Sequence, residues 1–196
     1  MKKIIAVLLA ALMLLSLAAC GEKAPTLNTE YTAEELMTKV TEQVQLPFAT
    51  MVTPVQVSSE DSVYFLGLTE SKGLVAEDAA VCEPMMMSQA FSTAIVKLND
   101  VSDAETVKNE ILEGVDMRKW ICVEAEKLIV VENGQYVLMT MGPVDMVDAI
   151  AAAFDTILEN ENGTELVKEG AAAMPEGDMP ADMIPDAGNE PAAFPG

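Results

Sequence analysis

The chain has 196 residues, with 32 acidic against 11 basic side chains, a formal charge of −21 and no histidine. That charge excludes nucleic acid and bare anionic lipid as natural partners. The missing histidine excludes Ser-His and Cys-His nucleophile schemes and removes the commonest metal ligand.

Residues 1–19, MKKIIAVLLAALMLLSLAA, read as a signal peptide: two lysines, an apolar stretch, then small residues. A membrane-crossing helix needs about 20 apolar residues, and this run stops short of that at Cys20. Leu17-Ala18-Ala19-Cys20, followed by Gly21, resembles the lipobox of bacterial lipoproteins. The resemblance implies cleavage before Cys20 and a diacylglyceryl group on its sulfur, whose two acyl chains suffice for stable anchoring. The membrane is therefore an expected partner through lipid on Cys20, on the extracytoplasmic face. Loss of Lys2 and Lys3 takes the charge from −21 to −23. Residues 20–30 read as the lipidated cysteine and a polar tether.

The domain is expected over residues 31–169, a length that suits one core of ordinary size. Thr32-Ala33-Glu34-Glu35 is a capping box, and Leu36, Val40 and Val44 form one apolar stripe. These predict a helix over 33–45, ended by Pro47. Residues 52–57 and 62–68 look extended, with a strand at 63–68, and 74–80 suggests a helical turn. The run AFSTAIVKL predicts a strand leading to Asn99-Asp100 and a second capping box, Ser102 to Glu105. A helix over 103–117 follows, its inner stripe Val107, Ile111 and Val115. Residues 127–132 and 135–141 flank Asn133-Gly134, the strongest hairpin signal in the chain. Pro143 opens a last helix over 143–159 with Val147, Ile150 and Phe154 on one face. Residues 170–196, with five prolines, five acids and no basic residue, read as a disordered acidic tail. The order helix, strand, strand, helix, strand, strand, helix predicts an α+β fold, a mostly antiparallel sheet packed by helices on one face.

Export would place Cys82 and Cys122 where thiols oxidise, and a bridge would close a loop of about 40 residues, stabilising by about 4 kcal/mol. The alternative is that each is buried as a small hydrophobe, Cys122 within Trp120-Ile121-Cys122-Val123. Arg118, Lys119 and Trp120 hold the only arginine and tryptophan and suit a binding hot spot, or else Trp120 pins a helix end to the sheet. Met85-Met86-Met87 beside Cys82 offers soft ligands of the kind Cu(I) prefers, but consecutive strand residues diverge. Asn160, Asn162, Gly163 and Glu169 fall at the third, fifth, sixth and twelfth positions of a calcium loop whose first position is Leu158 and not aspartate. Pairs such as Asp145 with Asp148, or Glu124 with Glu126, arise by chance in so acidic a chain. No phosphate loop, dinucleotide fingerprint or serine elbow is present. No metal site, cofactor or catalytic residue is assigned.

Residues 85–154, with their strand, capped helix, RKWICVEAEK segment, Asn-Gly hairpin and closing helix, are similar to uncharacterised lipoproteins of Gram-positive bacteria built on a domain of unknown function. The resemblance implies a cell-surface α+β domain and carries over no activity. The expectation is a non-enzymatic, membrane-anchored module binding an unknown protein or envelope ligand. The other reading is an acidic envelope protein that responds to divalent cations.

Overall fold

The computed structural model describes residues 31–86, 89–158 and 163–170. Residues 1–30, with the expected signal peptide, Cys20 and tether, and the residues beyond Gly170 lie outside these.

The fold is α+β, built on one six-stranded sheet in which every neighbouring pair is antiparallel. In chain order the elements are α1 (Ala33–Gln43), β1 (Thr50–Pro54), α2 (Asp61–Leu66), β2 (Val75–Pro84), β3 (Ser92–Leu98), α3 (Ala104–Gly114), β4 (Lys127–Asn133), β5 (Tyr136–Gly142), α4 (Val144–Leu158) and β6 (Glu165–Glu169). The strands lie in the order β1-β2-β3-β5-β4-β6.

The capping box forms as expected: the Glu35 amide donates to Thr32 Oγ1 at 3.2 Å and the Thr32 amide to the Glu35 carboxylate at 2.9 Å. The Ala33 amide, which α1 itself leaves unsatisfied, donates to Asp78 on β2 at 2.8 Å. Tyr136, wholly buried, donates its hydroxyl to the Tyr31 carbonyl at 2.6 Å, so the chain enters the domain tied to the hairpin end of β5. The hairpin closes one residue later than expected, at Gly134-Gln135: Asn133 is the last residue of β4, paired with Tyr136, and Gly134 takes the positive φ (61°).

Helices cover both faces of the sheet, not one. Ile129 and Val131 of β4 pack with α1 and α4, while Leu128 and Val130 of the same strand pack with α3. Topology explains this. The crossovers β3-α3-β4 and β5-α4-β6 each skip one strand in the same direction, but they leave from antiparallel strands. Crossovers of one hand must then place their helices on opposite sides.

Three local expectations are corrected. Residues 63–68 do not form a strand: Asp61–Leu66 is a helix, because Gly67 in the left-handed region (φ 66°) closes it by donating to Ser62 and Val63. Of residues 74–80 only Leu74 belongs to a helical turn, the end of a short 3₁₀ turn Ser71–Leu74; Val75 onward is β2, held between β1 and β3. The second capping box gives way to Asp100, whose carboxylate takes the amide and hydroxyl of Ser102, each at 2.8 Å. A short 3₁₀ turn, Val101–Asp103, then precedes α3, which ends at Gly114 and not at 117.

Candidate functional site

Beyond Gly114 the chain leaves α3 without leaving the core, since Val115, Met117 and Trp120 all pack on the α2/α3 face. Asp116 bends it: its carboxylate takes the Arg118 amide at 2.8 Å and its carbonyl the Lys119 amide at 3.3 Å. This turn sends Arg118, Lys119 and Trp120 to three different environments. Trp120 is buried in the core, the pinning role weighed above. Arg118 is exposed, with Glu124 at 3.7 Å. Lys119 points inward, its side chain only 3% exposed. The trio is therefore not one binding patch.

The Lys119 ammonium donates to Glu83 at 2.5 Å and to the buried Ser92 hydroxyl at 3.1 Å. The rings of Tyr64, Phe65 and Trp120 stand around it with centroids at 4.8, 5.3 and 5.4 Å. Burial pulls its pKa below the ordinary lysine value, against the hydrogen bond and charge of Glu83 and the charge of Asp116. Glu83 and the aromatic faces compensate a charge that burial would otherwise penalise. With every donor direction facing protein, this is a clasp joining β2 to the loop after α3.

A second cluster lies where α2 meets α3. Gly67 and Gly114 touch backbone to backbone there, and a Cβ on Gly67 would stand 2.6 Å from the Gly114 carbonyl carbon. One turn back along α3, Glu110 takes the amides of Thr69, Glu70 and Ser71 at 2.5, 2.7 and 2.8 Å, the Thr69 hydroxyl at 2.9 Å and the Ser71 hydroxyl. Burial works to raise the Glu110 carboxyl, but those hydrogen bonds outweigh it and hold it at about 2. Beside this clasp opens a cleft of about 680 Å³, lined by Val63, Thr69, Glu70, Thr106, Asn109 and Glu113 among others. Sequence reasoning singled out neither Glu110 nor Glu83, because their partners are 36 to 41 residues away.

The cysteines are not bridged: both are free. Cys82 is buried under α1 and α4, where burial raises its thiol pKa. Cys122 is exposed at φ 65°, two residues past a tryptophan that packs on the opposite face. Cys122 is thus not a buried hydrophobe either. Met85 and Met86 are exposed, away from the buried Cys82, and Met87 lies outside the described residues. Residues 159–162 of the suspected calcium loop also lie outside them, while Glu169 belongs to β6, paired with β4. Asp148 is engaged by Lys127 at 2.6 Å and Glu126 takes the Val144 amide at 3.2 Å, so neither carboxylate pair acts as a unit. Among the described residues no three His, Cys, Asp or Glu side chains gather as a metal site, and no helix is long and apolar enough to cross a membrane. No protein-family model, no curated protein and no solved structure matches this chain.

Proposed function

We propose that this chain is an extracytoplasmic lipoprotein, held to the cell membrane through lipid on Cys20, whose α+β domain is a non-enzymatic binding module. The observation that carries the reading is the N-terminal sequence itself: two lysines, an apolar run too short to span a bilayer, then Leu17-Ala18-Ala19-Cys20-Gly21. The site geometry supports binding over chemistry. In the two side-chain clusters, Lys119, Ser92, Glu83 and Glu110 are tied to one another or to backbone amides. The α2/α3 cleft, walled by hydroxyl, amide and carboxylate side chains, offers an envelope ligand a concave surface.

Metabolic labelling with palmitate tests the anchor. The wild-type chain incorporates label and Cys20→Ser does not; label retained by Cys20→Ser, or absent from the wild type, removes the reading. Turnover of an envelope substrate by the purified protein would remove the non-enzymatic part.

A further inference from the structure

The two edges of the sheet differ in character. β6 carries Glu165, Lys168 and Glu169 within five residues, the usual guard of an exposed edge. β1, TMVTP, carries no charge and exposes Met51 at 59%. It sits inside residues 43–59, seventeen consecutive residues without a charged side chain in a chain of net charge −21. Beyond the N-terminal leader no charge-free stretch is as long.

The backbone of β1 is half used. The Met85 amide donates to the Ala49 carbonyl at 3.0 Å and the Val55 amide to the Ala79 carbonyl at 2.8 Å, bracketing the ladder with β2. By the alternation of antiparallel pairing, Met51 and Thr53 turn their backbone groups towards β2, and Thr50 and Val52 turn theirs outward. Among the described residues no strand lies on that side.

We propose that β1 is a strand-addition edge and that its occupant is β1 of a second copy of this chain, antiparallel about a two-fold axis passing at Met51. In that register Thr50 of each copy exchanges both backbone bonds with Val52 of the other, and Pro54, which has no N–H, is not required as a donor. The two Met51 side chains meet in a non-hydrogen-bonded pair, with Cβ atoms about 4.5–5.5 Å apart, covering the exposed methionine. An antiparallel strand is its own complement under a two-fold axis. Electrostatics opposes this partner least at this edge. Copies this acidic repel one another wherever they present carboxylates, and the 43–59 stretch is where they can approach. Glu83, opposite Met51 in the ladder, is already neutralised by Lys119. The inference is independent of the lipid anchor.

The test uses the full chain in its native membranes, with Met51→Cys in a Cys122→Ser background, oxidised by copper-phenanthroline and air. The expected result is a reducible species of twice the monomer mass, formed at least tenfold faster than with Val167→Cys, placed at 45% exposure on the opposite edge. Equal rates at the two edges, or no dimer from Met51→Cys, overturn the proposal. Sedimentation of the detergent-extracted protein gives a second reading. Wild type should sediment as a dimer, and Val52→Pro, which removes an outward donor, should weaken it at least tenfold; a wild-type monomer at every concentration overturns the proposal.

Discussion

Under α1 and α4 the sheet presents Ile95, Leu138, Ile129 and Val131 to Leu36, Val40, Ile150 and Phe154, a contact made almost wholly of hydrocarbon. Under α2 and α3 it presents the same kind of residues, but that side also encloses two lysine side chains, Lys119 and Lys108, each only 3% exposed. Lys119 is clasped by Glu83; Lys108 reaches Glu132 on β4 and the Thr164 carbonyl, 2.9 Å away, before β6. The contrast teaches that the two halves of one core are fixed by different means. The α1/α4 side is held chiefly by area and shape, with titrating groups such as Glu35 and Asp155 at the helix surfaces and outside the hydrocarbon contact. The α2/α3 side depends on placed charges, and through Glu110 it responds to acid.

The largest effect should come from the hydrocarbon side. Phe154→Ala is expected to cost about 3–5 kcal/mol in urea unfolding, by the same amount at pH 4 and pH 7. A loss that varies with pH across that interval would break the comparison. Lys119→Met comes next, at about 3 kcal/mol, because it leaves Glu83 beside aromatic rings without its cation. The double variant Lys119→Met with Glu83→Leu should recover most of that loss. A double variant as weak as the single one would mean that the clasp is not the source of the cost.

Glu110→Gln should cost about 1–2 kcal/mol near neutral pH, reduced from the full value of the hydrogen bonds because the group is partly open to solvent. The sign follows from linkage. The folded-state pKa, about 2, lies below the ordinary 4.5, so the stabilisation is complete above about pH 4.5 and is lost as pH falls towards 2. The stability gap between wild type and Glu110→Gln should therefore close over that window, and a gap unchanged between pH 6 and pH 2.5 would contradict the account. The smallest effect should have the opposite sign. Thr140 Oγ1 is buried on the α1/α4 side without a hydrogen-bond partner, so Thr140→Val should stabilise by up to about 1 kcal/mol. A loss greater than that would show that the hydroxyl is satisfied in solution.

What the sequence disclosed was local. Thr32 with Glu35 sits within a few residues of what it bonds and formed as read, whereas Asn133-Gly134 marked the hairpin but the turn falls one residue later, at Gly134-Gln135. The segment around β2 misled because four of the five residues of Ala76-Glu77-Asp78-Ala79-Ala80, all but Asp78, are good helix formers. It becomes a strand only by pairing with residues on both sides, and small residues there let α1 pack closely. The converse held at Val63-Tyr64-Phe65, whose side chains favour a strand while Gly67 in the left-handed region ends a helix. A signal for two-sided burial was present: Leu128 to Val131 and Tyr136 to Met139 are unbroken apolar runs with no alternation, the pattern of strands covered on both faces. The Glu110 and Lys119 clasps left no such trace, since each joins segments that only the folded sheet brings together.

The central claim is the lipid anchor at Cys20, and intact mass spectrometry of the protein extracted from its own membranes tests it most directly. The account expects the mass of residues 20–196 plus a diacylglyceryl group, with Cys82 and Cys122 both alkylated under denaturing conditions without reductant. A full-length or unmodified chain would contradict the anchor, and thiols that alkylate only after reduction would contradict the separation of the two cysteines.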